Sequence, residues 1–483
     1  MLRLLRTDWP ILALVVAGAG LRLATTVAYR PAMAFLQDSF DYLADAQRLE
    51  PGMIRPFGYP LFLRVLSAGG RLDLVPVVQH LLGLGVGVAL YLLLRHLGAR
   101  SWVAGLGAAP VLLDGYQIYL EHFVMAETLF AALVAAAVVL LLWPDRPGAA
   151  AAAGAGAVLA AAALTRTVGL LLLPPALAYL AAGRVGLRPL LLAGGAALAV
   201  LAGYAAWFQA AHGKVALQAY TGYFLAGRVQ PFADCDTLEL PPPQQSLCDP
   251  RPVAQRPTPD WYVWNPDSPL RRLDPAVVPD RNALAGRFAR RVIRHQPGDY
   301  LASVVGDMAR YLSPGRVSGP EDFPVGAWQF RTEFTADPWH PVEPPPDPYA
   351  GGWTWPGPSV TNGVTVAAHG FGLAAETPSF VRPPAAALAR YQRVAYTAGP
   401  VLATALLLGL LAGAGRLADP RQRRLRHAGV FLAGAGLVAL LGPAATSVFD
   451  FRYLLPALVL LPPAGATGLT LLLDRRIGRG GAG

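Results

Sequence analysis

Hydrophobic residues in this chain are gathered into long runs that are separated by short polar segments. The runs are long enough, or nearly so, to cross the hydrocarbon core of a bilayer as helices. There are about ten of them, at residues 9–29, 75–94, 102–119, 124–143, 149–165, 168–182, 189–210, 394–411, 429–447 and 454–472. The pattern therefore predicts an all-α polytopic membrane protein.

A long polar region interrupts this pattern and divides the chain into three parts. Residues 1–210 form an N-terminal membrane module of about seven helices, whose first external loop is residues 30–74. Residues 211–392 contain no spanning run and are rich in Pro and Trp, which predicts a mixed, loop-rich extracytoplasmic domain. Residues 393–483 form a C-terminal membrane module of about three helices.

The two polar regions also contain segments with an amphipathic pattern. A helix across the first external loop would place Asp38, Asp41 and Asp45 on one face and apolar residues on another. In the larger region, residues 281–312 carry helical apolar spacing that is broken at Pro297. We therefore expect an amphipathic helix near Asp38 and two more, resting on the membrane surface, on either side of Pro297.

Composition and charge agree with a membrane protein. Hydrophobic residues make up 54% of the chain and charged residues only 14%, well below the usual quarter for soluble proteins. The formal charge is +10, but its arginines cluster at alternate ends of the hydrophobic runs, which argues against nucleic acid as a partner. The clusters contain Arg3, Arg6, Arg95, Arg100, Arg146, Arg184, Arg188, Arg416, Arg426, Arg475 and Arg479.

The positive-inside rule converts these clusters into a topology. With about ten spans, both termini are cytoplasmic and the protein is multi-pass in the cell membrane. The alternative for the first run is a signal peptide, but the run is long and lacks a clean small-residue cleavage site. In this topology, the carboxylates and arginines for which a purely structural role is hardest to see all lie on the extracytoplasmic face.

Carboxylates on that face are the first candidates for chemistry. Asp38 or Asp41 is suited to act as a general base that takes a proton from an attacking hydroxyl. Glu127 opens an apolar helix, where its charge also suits the helix dipole. The alternative for the two aspartates is that they solvate the polar side of an interfacial helix.

Arginines on the same face are the second group of candidates. Arg166 and Arg452 present forks of donors that match phosphate oxygens, although a simple tie between helix ends through Asp450 is the alternative. Arg22 lies within the first run, so it is either functional or extends to the interface. Tyr453 adjoins Arg452.

Other motifs add less. His122 and Tyr59 occupy external loops and are further candidate site residues. Cys235 and Cys248 share the large polar region, so a disulfide is favoured if that region is extracytoplasmic. Asp234 and Asp236 lack a surrounding nucleotide-binding unit, and we expect no metal and no cofactor.

The motifs and their order resemble the GT-C glycosyltransferases, in particular the branch of protein O-mannosyltransferases and aminoarabinose transferases. The similar segments are Asp38-Ser-x-x-Tyr-Leu-x-x-Ala46, Gly58-Tyr-Pro-Leu-Phe62, Ala126-Glu-Thr-Leu-Phe130, Thr165-Arg-Thr-Val-Gly169 and Arg452-Tyr-Leu-Leu-Pro456. The resemblance covers the first seven helices and the last one, but not most of residues 211–392. Ser39 and Phe40 separate Asp38 from Asp41, whereas the family pattern has adjacent acids.

The resemblance implies an inverting transfer of a sugar from a polyprenyl phosphate on the extracytoplasmic face. The acceptor would be a hydroxyl of a glycan, lipid or protein. It implies Asp38 as the base, with Asp41 as substitute, and Glu127 as a second acid. Arg166 and Arg452 would hold the phosphate, with Arg22 and Tyr453 assisting. A transporter of a lipid-linked or polysaccharide substrate is the alternative; such proteins place charges near the bilayer midplane and often contain inverted repeats.

Overall fold

The computed structural model describes most of the chain and shows a helical protein. It describes residues 8–30, 32, 33, 35–69, 72–319, 322, 325–332, 380, 381, 383–411 and 419–480. Arg3, Arg6 and Arg416, which support the predicted topology, lie outside these ranges. So do residues 333–379 of the predicted extracytoplasmic domain.

The N-terminal module consists of helices that follow one another through short turns. Its long and short helices are α1 (Trp9–Ala28), α2 (Leu36–Arg48), α3 (Gly58–Ser67), α4 (Leu74–His96), α5 (Ser101–Leu113), α6 (Gly115–Leu120), α7 (Glu127–Leu142), α8 (Ala149–Thr165), α9 (Leu173–Ala182) and α10 (Leu187–His212). A 3₁₀ turn, Thr167–Leu172, joins α8 to α9. A two-residue strand, Tyr29–Arg30, follows α1.

The remaining described elements are also mainly helical. They are α11 (Thr221–Val229), α12 (Pro242–Gln245), α13 (Pro259–Trp264), α14 (Arg281–His295), α15 (Pro297–Tyr311), α16 (Pro384–Gln392), α17 (Gly399–Leu411), α18 (Pro420–Thr446), α19 (Leu455–Leu458) and α20 (Leu461–Gly480), with 3₁₀ turns at Val253–Gln255, Val325–Trp328 and Phe451–Leu454. The strand Phe380–Val381 pairs antiparallel with Tyr29–Arg30. This pairing joins the start of the first polar loop to the last part of the large polar region.

Among the described residues, four helices are long and apolar enough to cross a membrane: α1, α4, α10 and α18. A fifth span is possible if the bent pair Phe451–Leu458 and Leu461–Arg475 counts as one. Helices α1 and α10 expose large apolar side chains, among them Leu12, Leu23, Leu191 and Leu198. Exposed apolar faces of this kind suit contact with lipid.

The predicted helices agree with the structure in some places and differ in others. The predicted run 149–165 coincides with α8, and the break at Pro297 separates α14 from α15. The third predicted run is wrong as one helix, because Asp114 ends α5 and caps α6 by accepting bonds from the backbone N–H groups of Tyr116 and Gln117.

The position of α2 also differs from the expectation of a helix on the membrane surface. Its apolar residues Tyr42 and Leu43 are buried, but Asp38 and Asp45 are buried as well. Protein therefore covers Asp38 and Asp45 as well as the apolar side of the helix, while Gln47 and Arg48 at its end are exposed. Carboxylates at such positions need partners, because burying an isolated charge is costly.

The two cysteines of the large polar region are joined in a disulfide, Cys235–Cys248. Both half-cystines pack against a second small core built by α11 and α14, in which Tyr223 and Phe288 are fully buried. The disulfide thus holds the loop before α13 against this core.

Candidate active site

A cluster of buried charges forms where α2, α7 and the 3₁₀ turn Phe451–Leu454 meet. Its centre is Arg452, which is about 8% exposed. Arg452 Nη1 donates to Asp38 Oδ2 at 2.7 Å, and Nε lies 2.8 Å from Asp450 Oδ2. Nη1 is also 3.8 Å from Glu127 Oε1. One guanidinium thus touches carboxylates from three distant segments of the chain.

Two further arginines complete the cluster. Arg55, in the first polar loop, forms an ion pair with Asp38. Arg166, at the end of α8, forms an ion pair with Glu127 and lies over the ring of Tyr453. The three guanidiniums are therefore matched one for one by Asp38, Glu127 and Asp450, and the cluster has little net charge.

Backbone contacts explain why these segments meet. The Val124 carbonyl accepts a bond from Ser39 Oγ at 2.8 Å, and Val124 N donates to the Met33 carbonyl at 2.9 Å. These bonds fasten the start of α2 beside the start of α7. Asp38 and Glu127 are thereby brought to the same cluster.

A glycine places the arginines of the cluster side by side. Gly58, at the start of α3, lies against the backbone of Leu164 and Thr165, and a Cβ there would collide with that backbone. The close approach brings the loop that carries Arg55 next to the end of α8, where Arg166 begins the turn. A side chain at residue 58 would push the two segments apart.

Aromatic rings enclose Arg452. Its guanidinium carbon is 5.0 Å from the ring centroid of Phe35 and 5.6 Å from that of Trp328. The Trp328 indole N–H donates to Asp450 Oδ1 at 2.8 Å, and Arg452 Nη2 is 3.2 Å from the Tyr453 hydroxyl. Such contacts stabilise the cation and fix the direction of its fork.

The cluster shifts the pKa values of Asp38 and Asp450 in opposite directions. Burial alone would raise the pKa of Asp38, but the charges of Arg55 and Arg452 more than offset it and hold the pKa below its ordinary value. Burial raises the pKa of Asp450. Environments that push pKa values apart are typical of acid and base pairs in active sites.

The two carboxylate oxygens of Glu127 differ in their contacts with the described residues. Its Oε1 faces Arg166, but Oε2 is buried without a hydrogen-bond partner among the described residues. A buried acceptor without a donor is unfavourable, so a ligand hydroxyl or amide that donates to it would be stabilised. Within the described ranges, no three His, Cys, Asp or Glu side chains are grouped to hold a metal ion.

Several predicted site residues lie elsewhere. Arg22 is buried in another network, where its fork bonds Glu121 at 2.8 Å through both Nε and Nη2. His122 stacks near His80, with 3.1 Å between His80 Nε2 and His122 Nδ1. Tyr59 donates to Gln79 at 2.9 Å. These three residues brace helices α1, α3, α4 and α6 and do not contact the cluster.

The two candidate bases of the first loop, Asp38 and Asp41, have different environments in the structure. Asp38 makes the ion pairs of the cluster, whereas Asp41 is only partly buried on the same helix. Arg166 pairs with Glu127, so the predicted alternative of an Arg166–Asp450 tie is not observed. Arg452 does contact Asp450, but within the larger cluster.

The sequence pattern missed three participants. Arg55 precedes Pro56 in the first polar loop, Trp328 belongs to the large polar region, and Asp260 lies in the first turn of α13. Asp260 is half-buried, and burial together with the charges of Asp450, Asp322 and Asp38 raises its pKa to about 7. Only its acidic and aromatic neighbourhood, Asp-Trp-Tyr-Val-Trp, hinted at a role for the segment.

The raised pKa of Asp260 predicts a pH-dependent stability. The folded protein keeps a proton on Asp260 up to about pH 7, whereas the unfolded chain releases it near pH 4. This contribution to stability is complete below the unfolded pKa and is lost as the pH rises through the folded one. Asp260→Asn should therefore raise the melting temperature at pH 8 by about 1–3 °C and by less at pH 5.

The control for this measurement is Asp267→Asn, which changes an exposed aspartate near Asp260 in the chain. It should melt with the wild-type protein at both pH values. A gain for Asp260→Asn that is equal at pH 5 and pH 8 would show that titration of this carboxyl is not its cause.

Comparison with known proteins finds no matching family model, no matching curated protein and no matching solved structure. The function is therefore argued from the cluster itself, in which a buried Asp38 carboxylate is held between Arg55 and Arg452.

Proposed function

We propose that the protein is a membrane glycosyltransferase of the GT-C type, with a polyprenyl-phosphate sugar as donor and a hydroxyl as acceptor. One observation carries the proposal: Asp38, Glu127, Arg166 and Arg452, which lie far apart in the sequence, meet in one buried cluster. A carboxylate beside several guanidiniums suits a reaction in which a hydroxyl attacks and a phosphate departs.

The proposed topology has about ten spans, cytoplasmic termini and an extracytoplasmic site. The four long apolar helices and the shorter ones support it, because the short helices Ser101–Leu113, Glu127–Leu142, Ala149–Thr165, Thr167–Ala182 and Gly399–Leu411 are apolar as well. The ends of α7 and α8 that carry Glu127 and Arg166 would then face the same side as α2.

The proposed reaction is a single displacement. The acceptor oxygen attacks the anomeric carbon from the face opposite the phosphate, the bond from that carbon to the phosphate oxygen breaks, and Asp38 takes the hydroxyl proton. The phosphate leaves as the polyprenyl phosphate anion, which Arg166 and Arg452 stabilise. The configuration at the anomeric carbon inverts.

The ion pairs of Asp38 affect how it would act as a base. Arg55 and Arg452 lower its pKa, which makes the carboxylate a weak base in the ligand-free cluster. A phosphate that accepts hydrogen bonds from Arg452 takes part of that positive charge away from Asp38. The proton affinity of Asp38 then rises when the donor binds, so that the base is activated only in the loaded site.

The activity test compares transfer with transport. Purified protein in proteoliposomes is given a radiolabelled polyprenyl-phosphate sugar together with membrane extract as a source of acceptors. We expect the label to move into a product that no longer partitions with the prenyl lipid. Movement of intact donor across the bilayer without such a product would contradict the proposal and favour the transporter.

A further inference from the structure

Helix α15 has two apolar sides, and only one of them packs against the described part of the protein. Val304 is buried and, with Tyr300 and Met308, lies against the main core. Leu301 and Val305 lie on another side of the helix and are 60% and 56% exposed. The residues that the structure describes therefore account for one apolar side and leave the other uncovered.

The exposed side of α15 is continuous and uncharged. Leu301, Val305, Ala309 and Ala302 are all exposed. At 3.6 residues per turn they fall within an arc of about 100° around the helix axis. Asp299, in the first turn, lies about 60° beyond this arc. An uncharged exposed strip of this width is typical of a helix that meets an apolar phase.

Both ends of α15 are attached at places where long apolar helices end or begin. Near its start, the Tyr300 hydroxyl donates to the Ala445 carbonyl at 2.8 Å, and Ala445 lies in the last turn of α18. Near its end, the Tyr311 hydroxyl donates to the Asp450 carbonyl at 3.2 Å. Asp450 immediately precedes the bent pair of helices that begins at Phe451. The helix therefore lies along the ends of these membrane segments.

The preceding helix, α14, is held at the same level. Asp280, which caps α14, forms an ion pair with Lys214 at 3.0 Å. Lys214 comes two residues after His212, the last residue of the long apolar helix α10. At its other end, α14 leads through Pro297 directly into α15. The two helices thus run from the end of one membrane segment to the end of another.

We propose that α15 is an interfacial helix whose exposed side lies in the lipid leaflet at this end of the spans, with Leu301 and Val305 in contact with acyl chains. Apolar surface gains free energy when it leaves water for hydrocarbon. The attachment to α18 places this strip at the level where hydrocarbon begins. The placement depends on the membrane spans and not on glycosyl transfer, so it goes beyond the proposed function.

This contact with lipid reaches the candidate active site through the same helix. Val305 and Tyr311 are six residues apart, which is about 9 Å along a helix. The Tyr311 ring stacks on Phe449 with 4.8 Å between centroids, and its hydroxyl holds the segment that carries Asp450. Asp450 in turn contacts Arg452. The seat of α15 in the leaflet therefore sets the height of the cluster above the hydrocarbon.

The test measures the depth of nitroxide labels by electron paramagnetic resonance on the full-length protein in lipid nanodiscs. The two native cysteines form the disulfide, so one introduced cysteine is the only free thiol. Val305→Cys and, separately, Leu301→Cys are labelled. Accessibility to oxygen, which concentrates in lipid, is compared with accessibility to a nickel chelate, which stays in water. We expect both labels about 5–10 Å below the lipid phosphates.

Two exposed apolar positions serve as matched controls. Leu198→Cys lies near the middle of α10 and should report a position deep in lipid. Val253→Cys lies in the 3₁₀ turn that follows the disulfide and should report water. Melting curves for each labelled variant show that it is folded.

Each result decides the placement of α15. Oxygen accessibility above that of the Val253→Cys label at both positions would support the interfacial helix. Labels on α15 that match the Val253→Cys label would place the strip in water and overturn it. Labels shielded from both reagents would show that protein covers this side, either another part of the chain or a second copy, and would also overturn it. None of these readings uses transfer activity, so the proposed reaction can fail without changing them.

Discussion

Asp38→Asn should reduce sugar transfer by about 100- to 10,000-fold, the range by which a positioned general base accelerates a reaction. The asparagine keeps the shape of the side chain but cannot take the proton of the attacking hydroxyl. The loss should appear in kcat more than in KM, because the proton moves only in the transition state. The measurement is the rate of label transfer from the polyprenyl-phosphate sugar at saturating donor.

Asp41→Asn is the matched control, since Asp41 lies on the same helix about one turn away and is only partly buried, whereas Asp38 is buried between Arg55 and Arg452. It should retain most of the transfer rate. Asp38→Asn also leaves Arg55 and Arg452 with one carboxylate fewer, so its melting temperature is measured beside its activity. A folded Asp38→Asn protein with the wild-type rate would exclude this carboxylate as the base.

Glu121→Leu should lower the free energy of unfolding by about 3–5 kcal/mol, the cost of leaving one charge of a buried pair without its partner. Glu121 is fully buried and receives both arms of the Arg22 fork, while Gln117 Nε2 donates to it at 3.1 Å. Gly83 of α4 lies directly against this carboxylate, so the helix makes room for it.

The double variant Arg22→Met/Glu121→Leu distinguishes stability that is lost through the unpaired charge from stability that is lost through altered packing. Removing both charges should recover part of the lost stability, because no unpaired guanidinium then remains. The control Glu239→Gln changes an exposed glutamate and should stay within about 0.5 kcal/mol of the wild type. Unfolding of the purified protein in detergent is followed with denaturant. Additive losses in the double variant would show that Arg22 and Glu121 are not coupled.

The helices were the most predictable feature of this protein. The Ala-rich run 149–165 is bounded by Pro147 and Gly148 before it and by Arg166 after it, and the helix occupies those residues. Such limits are local, because helix formation depends on neighbours within a few positions. Asp114 was missed as a break because the apolar residues on both sides outweighed one capping side chain.

The candidate site was predictable in part. Unusual charges at the ends of apolar runs identified Asp38, Glu127, Arg166 and Arg452, since charges near lipid need a reason to be there. The same argument selected Arg22, which the structure instead pairs with Glu121. A sequence shows that such a charge needs a partner, but it does not show which one.

The sequence by itself determined that this is a helical chain with apolar segments suited to a membrane, and it identified most of the charges that gather in the cluster. Only the tertiary structure decided that Asp38 meets Arg55 and Arg452, and that Arg22 pairs with Glu121. The reason is that hydropathy and helix limits arise from adjacent residues. Ion pairs between residues hundreds of positions apart depend instead on how the helices pack.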